Sequence, residues 1–241
     1  MISKIIDNLK TLLIALFIAI IIRSLLFQPF YIPSSSMEPT LLVGDRIFVS
    51  KYTYGFSRHS FPFSPNIFKK RINYEPPKQG DLVVFKTPAD NRTDYIKRLI
   101  GLPGDSIQFV EGEILINNNK ILRQKIENKK IIRCGKFLLE TDTYIETLPN
   151  GLKHLVAYKK KGSLQNSKIF QVPENHYFLL GDNRDCSKDS RYLDSVGYIN
   201  KLNLVGEAKL IFFSNDTNIS SLLKFWNIEK SFRLERLFKG L

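Results

Sequence analysis

Two hydrophobic periods divide this chain. The polar opening MISKIIDNLK gives way to an unbroken apolar run, Thr11 to Ile22, which resumes after Arg23 through Ser24, Leu25, Leu26 and Phe27. A helix crossing a bilayer needs about 20 residues, so a span includes Arg23 and reaches Phe27 or Phe30, with the guanidinium snorkelling to the headgroups. A cleaved leader fits poorly, because QPFYIPSSS carries aromatics and prolines where a cleavage site uses small residues. A buried core helix gives Arg23 no role. The pattern predicts an uncleaved anchor over residues 11–29. Lys4 and Lys10 hold residues 1–10 in the cytoplasm and send the remainder across, a bias that Arg23 opposes.

Beyond the anchor the period shortens to two. Ile47, Val49 and Tyr52 alternate within Asp45 to Tyr54, GDLVVFKTP (80–88) is a compact buried strand, and DYIKRLIGLPGD (94–105) is another, closed by a Gly-Leu-Pro-Gly turn. SIQFVEGEILINNNKIL breaks at Glu111-Gly112 and Asn117 to Asn119, as hairpins do, and Val205 to Phe213 is a further strand. Long helical patterns between strands are absent, which predicts an all-β, mainly antiparallel body plus the single N-terminal helix. The expected divisions are a core over 30–105, a lysine-rich accessory β insertion over 106–171 with the loop KKKGSLQNSK, and the rest of the core over 172–221. Residues 55–79 form an irregular loop, whose Phe56, Phe61, Phe63 and Phe68 either pack on the body or dip into the membrane interface. In the segment 222–241, Leu234, Leu237, Phe238 and Leu241 recur at helical spacing among Arg233, Arg236 and Lys239. This predicts a basic amphipathic helix, lying on lipid or packed on the domain.

Charge narrows the partners. A net charge of +13 over 241 residues points to nucleic acid or an anionic membrane surface. Helix-turn-helix, zinc-finger and RNA-binding aromatic signatures are missing, which favours the membrane. The two cysteines, Cys134 and Cys186, match no metal pattern and make at most one disulfide. With three histidines, His59, His154 and His176, and no HExxH, neither a metal centre nor a cofactor is expected.

The candidate chemistry begins at Ser34, Ser35 and Ser36, set between Pro33 and Pro39 in the first segment after the anchor. Alone, serines among prolines describe a loop. A serine nucleophile needs a base, yet no histidine lies in a triad-like motif and neither GxSxG nor SxxK surrounds the cluster. A lysine serves if burial lowers its pKa. On a strand, Tyr95, Lys97 and Leu99 share one face while Asp94, Ile96 and Arg98 share the other. Lys97 therefore lies between two apolar neighbours, with no carboxylate on its own face. Most lysines are exposed, and it is the pairing with the serines that singles this one out. In GDNRDCSKDSR (181–191), Asp182, Asp189 and Arg191 brace the loop, and Ser187 is placed to donate or accept at the lysine.

Four blocks in order, PSSSMEPTLLVGDRIFVSKYTYG, GDLVVF, YIKRLIGLPGD and VPENHYFLLGDNRDCSKDSR, resemble the bacterial type I signal peptidases, a Ser/Lys protease family. The resemblance covers the anchor and most of the body. It implies Ser36 as nucleophile, Lys97 as general base, and Ser34 with the Ser36 N–H as oxyanion donors. It further implies Ser187 as the hydroxyl orienting the lysine, Asp189 and Arg191 in support, and a shallow pocket for Ala-x-Ala sequences lined by Phe30, Ile32 and Ile96. Two positions depart from the family pattern: Ser35 stands where glycine is frequent, and Cys186 where asparagine is, bringing a thiol near the site. The implied partners are signal-peptide-bearing preproteins and membrane lipid, not nucleic acid. The implied setting is a monomer in the bacterial cytoplasmic membrane, crossing it once with its body on the exported side. A catalytically inactive β-domain that binds exported chains, or an organellar inner-membrane processing peptidase, would share parts of this pattern. A self-cleaving Ser/Lys repressor would lack the anchor and carry a DNA-binding motif.

Overall fold

The computed structural model describes residues 2–65, 69–135, 137–159, 164–215 and 232–241. Among the described residues one long helix, α1 (Ile2–Leu25), precedes a mainly β body and is long and apolar enough to cross a membrane. It starts before the expected span and ends sooner. Pro29 lacks the N–H that a continuing helix would use, and Phe27–Tyr31 forms strand β1 instead. Among the described residues β1 pairs only with β2 (Asp45–Ser50), an edge position that tolerates proline.

The main sheet adds β3 (Leu82–Lys86), β4 (Asp94–Gly101), β12 (His176–Leu180), β13 (Ile199–Asn200), β14 (Leu204–Ser214) and β15 (Lys239–Gly240). Its order is β1-β2-β14-β3-β4-β12-β13, with β15 also on β14. All these ladders are antiparallel. Three register shifts along β14 sharpen its twist and curl the sheet. β3 is buried on both faces. Leu82 and Val84 join Ile32, Met37, Ile47 and Val205 in one core, while Val83 and Phe85 join Tyr54, Leu99 and Tyr177 in another. A smaller sheet of β5 (Ser106–Val110), β6 (Glu113–Ile116), β7 (Asn119–Lys120) and β11 (Phe170–Gln171) packs Ile107, Phe109 and Ile114 against Ile100, Phe178 and Leu180.

The lysine-rich stretch is more regular than its composition suggests. β8 (Leu122–Cys134), β9 (Phe137–Thr147) and β10 (Lys153–Lys159) make a three-stranded sheet, with charges paired across strands as in Lys125–Asp142 at 3.0 Å. Residues 160–163 of the KKKGSLQNSK loop, and Phe68, lie outside the described residues. Phe63 is fully exposed, whereas Phe56 and Phe61 are half-buried.

The C-terminal helix is corrected. Residues 216–231 lie outside the described residues, and the last ten positions hold a short 3-10 turn, Leu234–Arg236, and then β15. Asp45 is fully buried and needs a cation. Arg236 supplies it through two bonds, Nε to Oδ1 at 3.1 Å and Nη2 to Oδ2 at 2.6 Å, so this arginine faces inward rather than lipid.

Cys134 and Cys186 are joined in a disulfide, so Cys186 presents no thiol. The bond ties the end of β8 to the 181–191 loop across a separation of 52 residues. Closing a loop of that length constrains the unfolded chain by about 2–4 kcal/mol. A reductant, or the double change Cys134→Ser with Cys186→Ser, should lower the melting temperature accordingly. An unchanged melting curve under reductant would mean the link contributes nothing.

Candidate active site

Ser36 sits in a one-turn 3-10 segment, Ser35–Met37, entered from an extended Ser34. Met37 and Leu41 anchor the turn in the core below, both fully buried. The first N–H groups of such a turn have no acceptor within it, which leaves the Ser36 N–H available. Ser36 Oγ lies 2.7 Å from Lys97 Nζ and 3.3 Å from Ser34 Oγ. A contact of this length serves both proton positions: an ammonium donates to the hydroxyl, and a neutral amine accepts from it.

β4 delivers Lys97 between Tyr95 and Leu99, and the residue is 3% exposed. Nζ also donates to the Ile96 carbonyl at 2.9 Å and lies 5.4 Å from the Tyr95 ring centre. Among the described residues no carboxylate bonds it. Burial pushes the Lys97 ammonium down to about 8; Asp189 and Asp182 pull upward and Arg191 adds to the fall.

Those two aspartates are already engaged. Asp182 accepts from Arg98 Nε at 2.8 Å, Arg98 Nη2 at 2.7 Å and the Thr40 hydroxyl at 2.5 Å. Asp189 accepts from Arg191 Nε at 2.8 Å and from the Gly181 N–H at 2.9 Å. Burial alone would raise both carboxyls, but the paired arginines override it and hold both below the ordinary aspartate value. The expectation of a loop knitted by its own ion pairs holds for Asp189 and Arg191, whereas Asp182 is paired from outside the loop by Arg98 of β4 and Arg184 by Glu146 of β9. Arg98, placed by the strand period on a solvated or paired face, is paired but buried.

Phe30, Ile32 and Ile96 come together with Ser34, Ser36 and Lys97 around one cleft of about 410 Å³. Ser187 behaves differently. Its Oγ is buried beside Asp189, close enough to help lower that carboxyl, but makes no hydrogen bond of full geometry and none to Lys97. It rests against Gly181, where a Cβ would come within 2.2 Å of Ser187 Oγ and 2.5 Å of the Ser36 carbonyl. Only glycine lets the loop pass this close beneath the nucleophile turn.

Sequence reasoning missed Asn183 and Thr40. The Asn183 N–H donates to the Ser36 carbonyl at 3.1 Å, and its side-chain amide donates to Ser35 O and Arg133 O, each at 3.1 Å. A buried asparagine inside GDNRD was a signal, since its amide must find partners. Thr40, half-buried after Pro39, gave none.

Comparison with known proteins gives the family. The chain matches the family described as signal peptidase, peptidase S26, over residues 5–213. Signal peptidase I of Rickettsia typhi is 42% identical, the match covering 93% of this chain and 89% of that protein. Signal peptidase I of Rickettsia prowazekii is 41% identical over the same shares. A solved signal peptidase I from Enterococcus faecalis is 23% identical, with a TM-score of 0.34 over 55% of this chain and 97% of that one. From its matched length and these identities, the chain belongs to the signal peptidase family, peptidase S26.

Proposed function

We propose that this peptidase is a membrane-anchored serine endopeptidase that removes N-terminal signal peptides from exported preproteins, cutting after Ala-x-Ala-like motifs. The observation that carries the reading is the 2.7 Å contact between Ser36 Oγ and a buried Lys97 that no described carboxylate bonds. α1 is the anchor, with Lys4 and Lys10 on the cytoplasmic side. The disulfide suits a body on the exported, oxidising side. Phe30, Ile32 and Ile96 leave a shallow apolar cleft that suits alanine side chains.

Neutral Lys97 takes the Ser36 proton as Oγ attacks the scissile carbonyl. The oxyanion meets the Ser36 N–H and the Ser34 hydroxyl, donors fixed before the charge develops. Lys97, now an ammonium held by the Ile96 carbonyl, protonates the leaving amine. Water deprotonated by Lys97 then opens the acyl-enzyme, releasing the signal peptide as a free carboxylate. Asp182, Asp189 and Arg191 hold the loop in place around these groups.

The test is cleavage of an Ala-x-Ala preprotein by the full chain in detergent across pH. The base is competent only when deprotonated, so kcat/KM should climb about tenfold per pH unit below 8 and level off above it. A profile flat from mildly acidic to alkaline pH would remove Lys97 from the role.

A further inference from the structure

The reaction leaves a second cleft unused, and it lies where the anchor ends. A cavity of about 480 Å³ opens between the last turn of α1 and the 55–64 loop, with Arg23, Lys51, Arg58, Lys86 and Arg92 in its lining. The body is pinned to the helix at this level, since the Lys51 N–H donates to the Leu26 carbonyl at 2.9 Å. Two acids, Asp90 and Asp94, share the lining, and both are engaged. Asp94 takes Lys86 Nζ at 2.8 Å. Asp90 accepts the Thr87 hydroxyl at 2.6 Å and the N–H groups of Arg92 and Thr93 at 2.9 and 3.0 Å. Among the described residues no carboxylate bonds Arg23, Lys51, Arg58 or Arg92. His59 stays neutral at physiological pH, because burial and the surrounding cations push its imidazole down to about 4. The lining therefore carries an excess of positive charge.

Lys51 is the built part of this site. It is 2% exposed, yet its ammonium meets two neutral acceptors, the His59 carbonyl at 2.9 Å and the Ser60 carbonyl at 3.2 Å. An ammonium has three protons, so one remains for a partner in the cavity. Burial pushes the amine down to about 8; Asp94 pulls upward, and Arg23 and Lys86 add to the fall. A buried cation crowded by other cations calls for an anion. The position says which one. Arg23 belongs to the helix that leaves the bilayer here, so the cavity opens at the height of lipid phosphates, and Phe63 in its lining is wholly exposed, as suits a membrane interface.

We propose that this cavity is a headgroup site for an anionic phospholipid, its phosphate held by Lys51 with Arg23, Arg58 and Arg92 around it. The proposal rests on the reading of α1 as the membrane anchor. Phe30 and Asp94 line this cavity and the acyl cleft alike, so a lipid held here fixes the cleft at the membrane surface.

The experiment washes the full chain in a neutral detergent containing equal amounts of phosphatidylglycerol and phosphatidylcholine, and measures the lipid retained per protein. Wild type should retain the anionic lipid in excess. Each cation near the headgroup contributes about fivefold, so Arg58→Gln with Arg92→Gln should cut that excess about twentyfold, toward parity. Arg92→Gln alone, at an exposed loop position, serves if the pair fails to fold. Lys120→Gln with Lys125→Gln removes the same charge outside the cavity and should keep the excess. Equal retention of the two lipids by wild type, an Arg58 and Arg92 variant that keeps the excess, or a control that loses as much would overturn the proposal and leave the anchor reading intact. Displacement of the lipid by inorganic phosphate at equal concentration would make this a free-phosphate site and overturn the proposal as well. A full chain that stays dissolved without detergent overturns both readings.

Discussion

Ser36→Ala and Lys97→Met each lose about four orders of magnitude or more in single-turnover cleavage. Without Oγ no acyl-enzyme forms, and without the amine the hydroxyl is a poor attacker at neutral pH. Groups acting as a unit are not additive in their effects, so the double variant should be little worse than either single one. Methionine fills the volume of the Lys97 stem and removes a buried charge, so that variant should melt no lower than wild type. Loss of turnover without loss of stability separates a catalytic role from a structural one. Ser35→Ala should still cut, because the Ser35 contact in the site is made by its carbonyl, to Asn183. Cleavage surviving in Ser36→Ala would move the nucleophile to a neighbouring hydroxyl.

How much of this was legible depended on whether a residue's partner lay on its own element. Lys97 was readable because strand period alone places it between Tyr95 and Leu99, and both indeed pack in one core. The arginine and aspartate pairing of the 181–191 loop was readable because Asp189 and Arg191 are near neighbours. Arg236 was misread for the opposite reason. Its helical spacing with Leu234, Leu237 and Phe238 is real, but Asp45 at the start of β2 draws it inward, and β14 takes Lys239 and Gly240 as a strand. Tertiary pairing overrides periodicity in a short terminal segment. The disulfide could not be assigned, since two cysteines permit a bond without requiring it; only the fold brings their Cα atoms to 5.4 Å.

Arg98→Met is expected to be the most damaging change away from the reacting atoms, for a reason visible in Asp182. That carboxylate is wholly buried and stays ionised because Arg98 meets it with two bonds. Removing the guanidinium strands a buried charge, which costs about 3–5 kcal/mol, or a melting temperature lower by roughly 10 °C in a chain of this size. It also orphans the Gly80 carbonyl, to which Arg98 Nη1 donates at 2.8 Å. Replacing both partners, Arg98→Met with Asp182→Leu, should recover more than half of the loss. The remainder is the Thr40 hydroxyl, left without its acceptor, and the Gly80 carbonyl, left without the Arg98 donor, at about 1 kcal/mol each. The double variant carries a second readout. Asp182 is one of the two carboxylates that raise Lys97. Taking its negative charge away favours the neutral amine, so the pH–rate midpoint should move below about 8 while the plateau survives wherever the loop still folds. A double variant as unstable as the single would show that the stranded charge is not what Arg98→Met costs. A midpoint that stays or rises would show that Asp182 does not act on the base.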